Sequence, residues 1–299
     1  MTPLPERVAI LGLGLMGGSL GLALKASGYR GQVVGYTRRK EWRRKALLRG
    51  VVDEVHGTPA AAAAQAGLVV LCVPICSMPG LLLEARPGIG IRTVVTDVGS
   101  TKHWVMEKLP PLLRKTGAVF VGGHPLAGSE QQGLDSARAE LYAGSVCVLT
   151  PSRMTPSVAA VRTVRRFWQS LGVRVVQMTA ADHDAAVART SHLPHLASAA
   201  LARLAGTPGR PLTQVCGPGF RDITRLAEGA PELWLDIVCT NRDALLDSLD
   251  ILSKDMAALR GYLRSGNEPG VLKWLHQARV ARRRLVSRTT TGKHNSGGK

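Results

Sequence analysis

The chain has 299 residues, 45% of them hydrophobic and 4% aromatic, enough for two domains and a large core in an ordinary globular protein. Its first apolar run, Val8 to Leu15, is short and glycine-rich, no small-residue cleavage site follows it, and no run reaches the roughly 18 apolar residues of a membrane span, so a cytoplasmic protein is expected. The formal charge of +18 would attract a polyanion, but seven Lys or Arg and no acid fall between His276 and Lys299, and there is little aromatic surface to stack on bases, so no specific nucleic-acid role is expected.

Arg7 to Leu11 is a short β-rich run that leads directly into Gly12-Leu-Gly14-Leu-Met-Gly17 and then a helical pattern up to Ser27. In that context G-x-G-x-x-G is a dinucleotide fingerprint. The first glycine allows the turn, the second lets backbone approach a pyrophosphate, and the third lets helix and strand pack closely. Gly12, Gly14, Leu15, Met16 and Gly17 are therefore expected at a cofactor. A second strand, Gln32 to Tyr36, should end in Asp or Glu if the ribose hydroxyls of NAD are to be gripped. It ends instead in Thr37-Arg38-Arg39-Lys40, a hydroxyl followed by guanidinium groups that suit a 2′-phosphate, which predicts NADP over NAD. The bland alternative is that Arg38 and Arg39 begin a solvated helix.

The alternation continues with a helix near Pro59 to Ala66, a strand Leu68 to Val73, a helix near Met78 to Glu84 and a strand Thr93 to Asp97. Strands joined by helix-length connections mean an α/β, Rossmann-type, doubly wound parallel sheet. Ligands sit beyond the carboxyl ends of such strands, so Val73-Pro74, the segment Asp97 to Lys102 and the loop after Val119-Phe-Val121 are expected to face one crevice. Ser100 reads as the N-cap of a helix running to about Arg114, worth about 1 kcal/mol. Its other reading is a hydroxyl that bonds a substrate or fixes the tautomer of a histidine. That histidine is His124, in Gly122-Gly-His-Pro-Leu-Ala-Gly-Ser-Glu-Gln-Gln-Gly133, where Pro125 holds it extended and the ring is suited to move a proton near neutral pH. Cys72, Cys76, Cys147, Cys216 and Cys239 match no zinc spacing, and no metal site is expected.

After a strand Val173 to Met178 the pattern turns helical from Ala180. The expected domains are residues 1–179, a dinucleotide-binding unit, and 180–286, an all-α C-terminal dimerisation and substrate domain, with 287–299 a disordered basic tail. Pro194 should kink the helix carrying Ser191-His-Leu-Pro-His195, which commonly happens where a helix lines a site. His192 reads as structural. From Pro231 to about Ser265 apolar residues recur at helical spacing, predicting one helix of about 45 Å, too long for a small domain to cover, whose stripe is buried against a second chain. Trp234 on it is either core or a wall of the substrate site. No further βαβ repeat follows, so no fused regulatory or mutase domain is expected.

Taken together, GLGLMGGSL at 12–20, VTDVGSTK at 95–102, GGHPLAGSEQQG at 122–133, CVLTP at 147–151, ADHD at 181–184, SHLPH at 191–195 and GFRDITRLA at 219–227 resemble the prephenate and arogenate dehydrogenases of tyrosine biosynthesis, in order and spacing, from residue 7 to about 265. The resemblance implies a nicotinamide-linked oxidoreductase, with the cofactor on Gly12, Gly14 and Gly17, and a homodimer. It implies that His124 is the catalytic base, with Ser100 its partner at the substrate hydroxyl, and that Arg225 binds the ring carboxylate. It also implies that Ser129 and Glu130 border the substrate, and it places His195 at a substrate-facing position of prephenate-using members. The chemistry suits these types: a neutral imidazole takes a hydroxyl proton while hydride leaves, carbon dioxide departs and the ring becomes aromatic. The nearest rival, the hydroxyacid dehydrogenases, uses a lysine for the proton, and no lysine lies between Lys115 and Lys254. A non-catalytic NADP-binding sensor would bind cofactor without turnover.

Overall fold

The computed structural model describes residues 4–152, 157–206 and 212–290. The chain divides into two compact units, residues 1–245 and 246–299. The first begins with alternating strands and helices: β1 Arg7–Leu11, α1 Leu15–Ala26, β2 Gln32–Tyr36, α2 Lys40–Leu48, β3 Glu54–His56, α3 Pro59–Ala63, β4 Leu68–Leu71, α4 Met78–Ala85, β5 Val94–Asp97, α5 His103–Lys108 and β6 Val119–Pro125. It continues through β7 Val146–Pro151, α6 Val158–Ser170 and β8 Arg174–Gln177 into α7 Ala180–Val187, α8 Leu193–Ala205, α9 Pro218–Thr224 and α10 Pro231–Thr240.

The strands form one eight-stranded sheet in the order β3-β2-β1-β4-β5-β6-β7-β8. All neighbours are parallel except β6 and β7, which pair antiparallel with His124 opposite Val148. The expected doubly wound sheet is therefore mostly, not wholly, parallel. The strands in the middle of the sheet are apolar along their whole length because helices cover both faces, and Ala9, Val69, Val70 and Val95 have no exposed surface. The strand order reverses between β1 and β4, which opens the crevice where a doubly wound sheet takes its ligand.

Two expected helices come out differently. Ser100 caps nothing: α5 starts at His103, three residues later, because the Asp184 carboxylate accepts the Lys102 and His103 amides at 2.7 and 2.8 Å and so caps it from outside. The long helix from Pro231 is broken at Asn241 into α10 and α11, Arg242–Arg264. Asn241 is buried, and its side-chain amide bonds the Asp184 carbonyl and His192 Nδ1, both at 3.0 Å. Those partners explain why a helical pattern is interrupted at that residue.

In the unit 246–299, α11 turns through Gly266, at φ +63°, into α12, Glu268–Thr290. The turn closes by bonds from the Gly266 and Asn267 amides back to Leu263 and Tyr262, and Trp274 Nε1 donates to Asp255 at 3.0 Å across the resulting helical pair. Helix α12 runs through Thr290, so residues 287–290 are helical and not part of a tail. The rest of the expected tail, 291–299, lies outside the described residues. Among the described residues no helix is long and apolar enough to cross a membrane.

Candidate active site

At the β1–α1 turn the three glycines divide their work as the spacing predicts. Gly12 has φ +110°, and a Cβ there would run into the Cys72 carbonyl. A Cβ on Gly17 would fall on the Gly12 carbonyl, so helix and turn pack too tightly for any side chain. A Cβ on Gly14 would meet nothing within 4 Å. The α1 N-terminus follows with no side-chain cap, leaving its first amides free for an anion, and Leu15 and Met16 form its first turn. A turn with backbone open at Gly14 and uncapped amides fits a dinucleotide pyrophosphate. Val73 and Pro74 stand at the next strand exit, β4, partly covered and exposed respectively.

No carboxylate terminates β2. Thr37 is buried and accepts the Arg39 amide at 3.4 Å, while Arg43 Nε donates to the Thr37 carbonyl at 3.2 Å. The Thr37 hydroxyl is thus part of the turn itself. The groups left facing outward are the exposed Arg38 and Arg39, the latter with its guanidinium 4.4 Å from the Trp42 ring centroid.

His124 sits at the last turn of β6, 8% exposed. The strand beneath is fixed by Asp97 at the end of β5, whose carboxylate accepts the Gly99 and Gly123 amides at 2.8 and 3.0 Å and pairs with Lys102. Asp97 and Lys102 are both fully buried. The expected bond from Ser100 to the ring is absent. His124 Nδ1 lies 2.8 Å from His183 Nε2, and His183 Nδ1 lies 2.7 Å from Asp184 Oδ1, both partners on α7. Burial pushes the His124 ring well below its ordinary pKa, with His183 and Lys102 adding to the effect, so it is neutral near pH 7. Ser100, half-buried at the β5 exit, keeps its hydroxyl free of protein partners among the described residues. Next to it Thr101 Oγ1 meets Thr240 Oγ1 at 2.9 Å, and the Cys76 amide donates to Asp236 at 3.1 Å, so α10 is held against the strand ends.

The segment after His124 folds back over the glycine turn. Arg49 donates to the Leu134 carbonyl and to the Ala137 carbonyl, the latter at 2.9 Å; the Arg138 amide donates to Ser19 Oγ at 3.0 Å; and Tyr142 Oη donates to the Met16 carbonyl at 2.8 Å. Lys45 pairs with Asp135. Ser129 accepts the Gln131 amide at 3.2 Å, and exposed Glu130 reaches Arg225, at the end of α9, at 3.5 Å. The structure therefore brings Arg225 to the loop that follows His124.

Between α7 and α8 the backbone makes one π-helical turn, Ala188–His192, instead of a simple kink. Pro194 has no amide to give the preceding turn, and such wide turns are commonly placed at functional sites. It sets His192 and His195 against α10. His195 stacks flat on Trp234, 3.4 Å between centroids and 11° between planes, while His192 meets the same indole edge-on at 6.1 Å. Burial lowers the His192 ring to a pKa of about 4 and His195 also falls, so both are neutral. Trp234 is half-buried and wall-like. No role is expected from the sequence for Asp97, Lys102, His183, Asp184 or Asn241, although the segment Asp97 to Lys102 is expected at the crevice and the Ala-Asp-His-Asp string contains His183 and Asp184.

Two family models match this arrangement, the prephenate dehydrogenase nucleotide-binding domain over residues 20–177 and the prephenate dehydrogenase dimerization domain over 179–277. The chain belongs to the prephenate dehydrogenase family. Cyclohexadienyl dehydrogenase from Zymomonas mobilis is 33% identical over 281 residues, 93% of this chain and 95% of that protein. The solved structure of prephenate dehydrogenase from A. aeolicus, in complex with hydroxyphenyl propionate and NAD+, superposes with a TM-score of 0.87 at 29% identity, covering 95% and 99% of the two chains. Synechocystis arogenate dehydrogenase gives a TM-score of 0.80 at 32% identity, over 93% and 99%. Members of the family are NAD(P)-dependent oxidoreductases, and this chain is one: a dehydrogenase of the prephenate and arogenate group that uses a nicotinamide cofactor.

Proposed function

We propose that this enzyme converts prephenate to 4-hydroxyphenylpyruvate by oxidative decarboxylation with NADP, as a homodimer. The observation that carries the reading is one neutral imidazole, His124, at the β6 exit beside the glycine turn, with a guanidinium, Arg225, held over the same loop by Glu130. A bound nicotinamide dinucleotide supplies the hydride acceptor. Gly14 and the first amides of α1 would hold its pyrophosphate through backbone, in a turn that Gly12 and Gly17 make possible, and Arg38 and Arg39 would hold the 2′-phosphate, for which the absence of a carboxylate after Tyr36 leaves room.

His124 accepts the proton of the substrate hydroxyl, and Ser100, its hydroxyl uncommitted, donates to or accepts from that same oxygen. Loss of the proton raises electron density on the carbon that must give up hydride, so base and hydride transfer reinforce one another. Arg225 takes the ring carboxylate when the substrate displaces Glu130, and Ser129 and Glu130 border the ring. Once the ring carbon has lost hydride, the carboxylate leaves as carbon dioxide, its electron pair completes the aromatic ring, and the resulting phenolate oxygen takes back the proton held on His124. His195, neutral and stacked on Trp234, can donate to the keto oxygen of the prephenate side chain and offers no anion to an ammonium group, which favours prephenate over arogenate. The similarity to arogenate and cyclohexadienyl dehydrogenases keeps arogenate as the second reading.

The second copy is proposed to cover the helical unit 246–299, whose large apolar side chains include Leu246, Ile251, Leu263, Leu272 and Leu285, each more than half exposed in the single chain. Rates of NADPH and NADH formation from prephenate and from arogenate test the function. NADPH formation from prephenate fastest of the four is expected; a dominant rate with NADH, or with arogenate, replaces the corresponding half of the proposal, and no turnover in any combination ends it. His124→Asn should bind cofactor and lose most turnover.

A further inference from the structure

The Ala-Asp-His-Asp string was left without a role by the chemistry above, yet it supplies the nearest partner of the base. His183 and Asp184 lie on α7, whose start is fixed by Thr179: its hydroxyl oxygen accepts the Asp182 amide at 3.1 Å. From there the helix places His183, with no exposed surface, and Asp184, 4% exposed, against the end of β6. The three groups form one line, with His124 Nδ1 2.8 Å from His183 Nε2 and His183 Nδ1 2.7 Å from Asp184 Oδ1.

The direction of the protons in that line follows from its far end. Both Asp184 oxygens already accept backbone amides, Oδ1 from Lys102 at 2.7 Å and Oδ2 from His103 at 2.8 Å. A carboxylate occupied in that way is an acceptor only, so His183 Nδ1 carries the hydrogen. A neutral imidazole has one N–H, which leaves His183 Nε2 with a lone pair. Its contact with His124 then requires the hydrogen to be on His124 Nδ1, and the lone pair of His124 is left on Nε2. That nitrogen has no protein partner among the described residues, yet it is not one of the unpartnered atoms sealed from solvent, whereas Nε2 of His192 is sealed. The open nitrogen of His124 is thus the one that can take a proton.

We propose that His183 and Asp184 are positioning residues that fix His124 in the Nδ1–H tautomer, so that its basic Nε2 is presented to the substrate hydroxyl. The inference rests on His124 being the base. After His124 Nε2 has accepted the hydroxyl proton, the cation's Nδ1–H still points at the His183 lone pair, and Asp184 stabilises the charge through that second ring. Asp184 also ties this line to the substrate-binding half, since its backbone carbonyl accepts from Asn241 at the α10–α11 break. Of the two readings of Ser100, fixing the tautomer of His124 passes to His183, while contact with the substrate hydroxyl stays with Ser100.

The test compares full-length His183→Leu and His183→Gln with the parent and with His124→Asn. Glutamine can place its Oε1 where Nε2 of His183 lies and accept from His124 Nδ1–H; leucine cannot. His183→Leu is expected to lower kcat on the order of 10²-fold, the scale of a misplaced proton acceptor, with NADP affinity and KM near the parent's. His183→Gln is expected to recover most of that loss. Equal kcat in the leucine and glutamine variants, or parental kcat in both, overturns the proposal. Should the leucine variant fail to fold, ¹⁵N spectra of the histidine-labelled parent decide: hydrogen on His124 Nδ1 supports the assignment, and hydrogen on Nε2 overturns it. Parental turnover in His124→Asn removes the base itself, whereas an inactive His124→Asn with equivalent His183 variants removes only the positioning role.

Discussion

Replacing Lys102 by methionine tests how the floor of the site is held. The Lys102 ammonium and the Asp97 carboxylate are paired with both side chains fully buried, and Asp97 has two further donors, the Gly99 and Gly123 amides at 2.8 and 3.0 Å. Methionine keeps most of the lysine stem, so the loss is chiefly electrostatic and little cavity is made. Removing one member of a buried pair typically costs about 3–5 kcal/mol because the other charge stays behind in a dry site. Two amides remain to solvate Asp97, which places the expected loss at the lower end, about 3 kcal/mol. With a urea slope of about 3 kcal/mol per molar, that moves the unfolding midpoint down by about 1 M. Asp97→Asn with Lys102→Met removes both charges, and should be more stable than the sum of the single losses by at least about 1.5 kcal/mol. A single variant within about 1 kcal/mol of the parent, or a double variant that is merely additive, would refute the view that this ion pair anchors Gly123 beneath His124.

The remaining predictions address the histidines, the glycine turn and the loop. His192 titrates near pH 4 when folded and at 6.5 as an ordinary histidine, so below pH 6.5 the unfolded chain takes up its proton and the folded one does not. Its contribution is therefore complete above pH 6.5 and is lost between pH 6.5 and about 4, some 3 kcal/mol in all; urea titrations at pH 7.5 and 4.5 should show a smaller pH-dependent drop in His192→Gln, and an unchanged drop contradicts the assignment. Gly14→Ala should melt like the parent but bind dinucleotide at least about tenfold more weakly, whereas Gly17→Ala should lose about 1–3 kcal/mol by pressing on the Gly12 carbonyl; calorimetry and cofactor titration separate them. Glu130→Gln should leave stability unchanged, since its pair with Arg225 is exposed, and should lower the substrate KM by up to about fivefold by freeing the guanidinium. Arg225→Ala should raise KM at least about tenfold, and initial-rate kinetics showing both changes in the same direction would exclude this competition.

Much of the fold is legible because its signals are local. The alternation of short apolar runs and helical stretches reads as a doubly wound sheet, and Gly12, Gly14 and Gly17 divide into turn, open backbone and close packing because each role depends on neighbours a few residues away. Where a long-range partner decides, residue patterns mislead. Ser100 looks like a cap, but a carboxylate 84 positions on in the chain, Asp184, starts α5 from outside. The apolar stripe from Leu233 to Leu259 is continuous, yet Asn241 interrupts the helix, since its amide serves Asp184 and His192. The segment Asp97 to Lys102 is expected at the crevice from its place after a strand, but only tertiary packing makes its two ends a fully buried pair.

These misreadings share one cause. The strand β6 presents His124 but has no group that could orient its ring; the groups that do so come from α7, after the point where the chain turns helical. Asp184 joins three tasks in one side chain and its backbone: it caps α5 next to Lys102, orders His183 against His124, and receives Asn241 at the break between α10 and α11. The change from α/β to all-helical composition near residue 180 is therefore a boundary of folding pattern and not of chemistry. On the proposed assignment, His124 acquires its tautomer only when α7 is packed on the sheet, which would tie proton abstraction to the correct docking of the helices that also carry His195, Arg225 and Trp234.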